Sequence, residues 1–89
     1  TMKLIIAIVK DNDTDAVSSA LTTAKYRVTT IASTSGFLRR GLNTLLCGLE
    51  DDQVENALQI IRQSFPPAEN PDEKRCTMFV IHVNEYIHF

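Results

Sequence analysis

The chain contains no apolar run approaching the ~20 residues that a membrane-spanning helix needs, and no basic flank, apolar core and cleavage site of a signal peptide. Its expected setting is therefore cytosolic, with no membrane insertion. Cysteine is down to Cys47 and Cys76, each inside an apolar, strand-like run. This argues against a disulfide framework and reads as two small buried hydrophobes. Adding His82 and His88 makes no zinc site, because the paired CxxC and HxxxH spacings are missing, and no metal is expected. Positive charge is also scarce: Lys+Arg 9 against Asp+Glu 11 leaves a formal net charge of −2, which gives no footprint for duplex nucleic acid. No GK[ST] follows any glycine, so there is no P-loop.

What is present is one small domain spanning 1–89, short enough that burial between subunits would add to its stability. Lys3 to Val9 is β-branched and almost continuously apolar, which predicts a central strand buried on both faces. Asp11, Asn12, Asp13, Thr14 and Asp15 supply helix caps and first-turn acids. Ala16, Val17, Ala20, Leu21 and Ala24 then line one face of a helix over Thr14 to Ala24. Tyr26 to Ser33 has the β-propensity of a second strand, and Thr44 to Leu49 reads as a third. Glu50, Asp51 and Asp52 begin a second helix whose apolar positions Val54, Ala57, Leu58, Ile61 and Phe65 step by three and four until Pro66-Pro67 stops it. A polar loop from Pro67 to Arg75 leads to a fourth strand, Thr77 to Val83.

The order βαββαβ with two right-handed crossovers predicts an α+β, ferredoxin-like fold: an antiparallel sheet with both helices on one face. Strands that are apolar at nearly every position then leave greasy side chains on the opposite face. An apolar patch of that kind marks an interaction surface, so the sheets are expected to pack together in an oligomer.

The stretch from Tyr26 to Gly41 carries the chemistry. Strand-like alternation ends in a glycine-bracketed, cationic loop with Phe37 at its centre, and Lys25, Arg27, Arg39 and Arg40 cluster around it. Glycine permits close backbone approach, consecutive backbone N–H groups form anion-binding concavities, arginine pairs with phosphate, and phenylalanine offers a face to a base. The plainer account is a hairpin loop with solvated charges.

Met2 to Val9, Arg27-Val28-Thr29, Gly36-Phe37-Leu38-Arg39, Leu46-Cys47-Gly48, Asp51 to Val54 and Thr77 to Val80 together resemble the PII-like cyclic di-AMP receptors. The resemblance implies a PII-like homotrimer with one cyclic di-AMP in each cleft between subunits. It further implies a non-enzymatic sensor whose loops rearrange on binding to regulate a protein partner. Residue by residue, it implies that Arg27 and Thr29 face the ligand, that Val28 offers its backbone, and that Gly36, Phe37 and Leu38 wrap an adenine. Gly48 lets the ligand lie close, and Phe79 and His88 complete the site. Lys25 and Leu42 occupy ligand positions where relatives often carry asparagine, and Asn43 is a candidate to restore the polar contact that Leu42 removes. Ser35 replaces a glycine, and the loop from Pro66 to Arg75 is short.

Other readings have less in their favour. An RNA-binding module of the same topology needs aromatics on the first and third strands, where Leu4, Ile6, Ile8, Leu45 and Cys47 stand instead. For a small enzyme, Asp11, Asp13 and Asp15 lack the glycine and distal glutamate of a calcium loop, and Ser18, Ser19, Ser33 and Ser35 have no histidine near in sequence. A PII-like sensor of another nucleotide remains the main alternative.

Overall fold

Burial along the first strand, β1 (Met2–Lys10), alternates strictly: Ile5, Ala7 and Val9 are buried, while Leu4, Ile6 and Ile8 are only half-buried. One face of the sheet is therefore covered by this chain and the other left open, so burial of β1 on both faces would need a second copy. The computed structural model describes residues 1–32, 41–65, 76–84 and 87. The elements are β1, α1 (Asp11–Thr23), β2 (Thr29–Ala32), β3 (Leu42–Glu50), a 3-10 turn (Asp51–Gln53), α2 (Val54–Gln63) and β4 (Cys76–Val83). The sheet order is β2-β3-β1-β4, antiparallel at every pairing, which is the ferredoxin-like α+β architecture.

Helix α1 starts at Asp11, ahead of the expected Thr14, because a tertiary acceptor is available: the Asp11 N–H donates to the carbonyl of Gly41 at 2.8 Å. Its N-cap is Lys10, with no side-chain cap, so the acids serve the helix dipole from the first turn. The buried face is Thr14, Val17 and Leu21. Ala16 and Ala24, expected on that face, are exposed: Ala16 is about 100° around from Val17, and Ala24 is the C-cap. Thr14 is tolerated in the core because its hydroxyl donates to the Lys10 carbonyl at 3.2 Å and accepts from Asn43 Nδ2 at 2.9 Å.

Strand β2 is shorter than expected, since Tyr26 is taken up in terminating α1 and the ladder with β3 runs only from Thr29–Leu46 to Ala32–Asn43. Helix α2 buries Ala57 and Ile61 and packs Val54 and Leu58 against the same core, with Phe65 joining them just past its end. It ends at Gln63, where the Ser64 hydroxyl donates to the Ile60 carbonyl; the stop assigned to Pro66-Pro67 lies outside the described residues. The core joins Ile5, Val9, Val17, Leu21, Leu45, Cys47 and Ile61 between sheet and helices. Each large side chain there contributes roughly 1.5–3 kcal/mol.

Candidate functional site

Helix α1 ends in a turn that sets the geometry of the residues after it. The Lys25 N–H donates to the Thr22 carbonyl at 2.9 Å and the Tyr26 N–H to the Leu21 carbonyl at 3.0 Å, the paired bonds of a Schellman motif. The motif needs a left-handed residue, and Lys25 supplies it at φ 72°. Beyond the turn burial alternates: Tyr26 and Val28 pack against the core, whereas Arg27 and Thr29 are exposed. Val28 thus turns its side chain to the core. Among the described residues Arg27 has no ion-pair partner.

The strand register lays out the open face. Thr29, Leu46, Ile6 and Phe79 form one row across all four strands. Thr29 pairs with Leu46, which stands two residues from Gly48 on the same outward face of β3. Thr29 and Gly48 thereby lie at one corner, and Arg27 sits just before the end of that ladder. Among the described residues a side chain at Gly48 would meet only Met2 Cε, at an ordinary 3.8 Å. None of those contacts requires a glycine there, so the bare backbone leaves open space on that face.

Other expected ligand residues are not brought to that corner. Phe79 lies on the same row but three strands across, roughly 14 Å away. Leu42 is on the open face at the far end of β3, opposite Lys10 and six residues from Gly48, about 20 Å at strand rise. Gly36, Phe37, Leu38 and His88 lie outside the described residues, as do Ser35 and the loop from Pro66 to Arg75. Asn43 does not replace a polar group at Leu42: it sits on the helix side of β3 with its amide committed to Thr14. The same parity corrects the third strand's surface. Leu45 and Cys47 face the helices, and Thr44, Leu46 and Gly48 face outward, so the outer faces of β1 and β3 still carry no aromatic. Leu46 and Ile6 share the Thr29–Phe79 row, a placement that follows from strand register rather than from residue type.

Neither cysteine is set up as a nucleophile. Burial pushes the Cys47 thiol up. Cys76 is pushed up to about 11, by burial first and then by the Asp13 carboxylate, with a backbone hydrogen bond at Ile8 pulling the other way. A thiol so raised stays protonated at neutral pH. Both cysteines are free. Among the described residues no group of three or more His, Cys, Asp or Glu is arranged to hold a metal ion, and no helix is long and apolar enough to cross a membrane.

The family model of the cyclic-di-AMP receptor matches residues 2–70. The chain belongs to the cyclic-di-AMP receptor family. Solved structures agree on the receptor's fold. A Pediococcus pentosaceus protein of unknown function is 29% identical, covering 99% of this chain and 97% of its own, with a TM-score of 0.76. The PII protein of Arabidopsis thaliana, in its citrate-bound structure, is 26% identical over 92% of this chain and 77% of its own, with a TM-score of 0.72. A Shewanella baltica protein at 12% identity and TM-score 0.71 shares the fold alone. This receptor-family chain therefore has the PII-like fold that its residues resembled, and its class is that of a signalling receptor.

Proposed function

We propose that this protein senses cyclic di-AMP as a homotrimer, with the ligand held where two subunits meet. Binding changes loop conformation and with it the docking of a partner protein. The carrying observation is the placement of Thr29 and Phe79 on one row of the open face but at opposite edges of the sheet. One small ligand touches both more readily when the β2 corner of one copy meets the β4 edge of the next. Arg27 holds a phosphate, Thr29 and the Val28 backbone orient the ring, and Gly48 gives the clearance. Phe37, with Gly36 and Leu38, covers a base.

A sensor also needs the ligand to favour one loop state over the other, since only a difference in affinity shifts a population. Calorimetry with cyclic di-AMP, cyclic di-GMP and ATP side by side tests the reading. Cyclic di-AMP is expected to bind most tightly, because hydrogen bonds placed for one base edge are left unpaired by another. Equal affinity for both cyclic dinucleotides would remove the adenine assignment and favour a sensor of another nucleotide. Arg27→Ala is expected to lose about 1.5–3 kcal/mol of binding, the worth of a charged hydrogen bond, and Arg27→Lys to recover only part of it, lacking the planar fork.

A further inference from the structure

Arg27 is an exposed side chain on a segment that no sheet ladder holds, because the β2–β3 pairing stops at Thr29. What fixes it must flank it. On one side Val28 packs against the core. On the other Tyr26 is held at two points that belong to different helices. Its backbone N–H bonds the Leu21 carbonyl of α1 at 3.0 Å, and its hydroxyl accepts a hydrogen bond from Asn56 Nδ2 of α2 at 2.8 Å. The tyrosine ring is partly buried against the core between these points.

We propose that Tyr26 and Asn56 are positioning residues for Arg27: the hydroxyl–amide bond ties the entrance of β2 to α2 and sets where the guanidinium stands. This rests on the reading of Arg27 as a phosphate ligand. A planar donor fork depends on direction more than a point charge does, so a mount that loosens costs affinity without removing any contact atom. The bond is solvent-exposed and links neutral groups, so its loss should leave the folded core in place. Asn56 also gives α2 a direct mechanical link to the anion-binding corner, which neither spacing nor hydropathy discloses.

The test uses Tyr26→Phe, which keeps the ring and deletes the hydroxyl, and Asn56→Ala. Asn56→Asp is the rescue variant, since a carboxylate accepts from the tyrosine O–H. Each is titrated with cyclic di-AMP by calorimetry, alone and with Arg27→Ala. Tyr26→Phe and Asn56→Ala are expected to bind about threefold to tenfold more weakly, the span of one neutral hydrogen bond, with Asn56→Asp close to the parent. In the Arg27→Ala background neither should cost anything further. Independently of ligand, the Arg27 amide heteronuclear NOE should fall in Tyr26→Phe while that of Ile5 stays unchanged. An unchanged Arg27 amide in Tyr26→Phe, or the same loss of affinity with and without Arg27, overturns the proposal. If the parent does not bind cyclic di-AMP, the ligand reading fails, and the Arg27 amide alone decides whether Tyr26 positions it.

Discussion

At the scale of single residues, the two cysteines show how far environment sets chemistry. Cys76 begins β4 opposite Val9, half-buried, with the Asp13 carboxylate nearby. Both influences disfavour the thiolate, so the folded chain holds this proton more tightly than the unfolded chain does. The resulting stability is fully present below the ordinary thiol range near 9 and is lost progressively as the pH rises through about 11. Urea melts across pH 8 to 11 should therefore show a smaller alkaline loss for Cys76→Ala than for the parent. Parallel curves would mean that the thiol does not titrate differently on folding. The same proton-holding predicts slow alkylation of both cysteines in the native protein.

At the scale of elements, two junctions hold the site's frame. Lys25 occupies a left-handed position at the end of α1, where a side chain bearing a Cβ costs roughly 1–2 kcal/mol that glycine avoids. Lys25→Gly should therefore raise the melting temperature, since the Schellman bonds survive; a lower melting temperature would show that the lysine side chain compensates for its backbone. The second junction joins α1 to β3. Thr14 links the Lys10 carbonyl to the Asn43 amide, and the carbonyl of Gly41, itself at φ 84°, receives the first N–H of the helix. Thr14→Val keeps the shape but leaves the Asn43 amide without its acceptor, at a cost of about 1–3 kcal/mol. Chemical denaturation measures this directly, and a neutral result would mean that water replaces the hydroxyl.

At the scale of the molecule, the open face dominates. Leu4, Ile6 and Ile8 of β1 lie beside Leu46 of β3 and beside Phe79 and Ile81 of β4, with Phe79 still 51% exposed and Ile81 45%. A contiguous apolar surface of this kind is the one that the proposed trimer would cover. Ile6 and Ile8 share that face, so charge at either probes assembly rather than the core. Ile6→Glu should give a chain with parent-like far-UV circular dichroism that elutes and scatters as a monomer, while Ala7→Glu on the helix side should fail to fold. An Ile6→Glu protein that assembles like the parent would place the subunit contact elsewhere.

Much of this could be read from sequence because the relevant signals are local. Short apolar β-branched runs, three-and-four spacing and the order of elements determined the fold class, both helices and the four strands. The cationic stretch around Arg27 stood out through its residue types, while Val28, Thr29 and Gly48 were assigned only through the family resemblance. Only the tertiary structure decided matters that depend on where a neighbouring element lies. Helix α1 starts early because the Gly41 carbonyl happens to reach its first N–H. Leu45 and Cys47 face inward, and Asn43 with them, because antiparallel register fixes parity across strands. Thr29 and Gly48 share a corner because β3 returns alongside β2, and Tyr26 meets Asn56 because both helices pack on one face of the sheet. Such contacts join residues tens of positions apart, and a chain carries no local mark of them until packing brings them together.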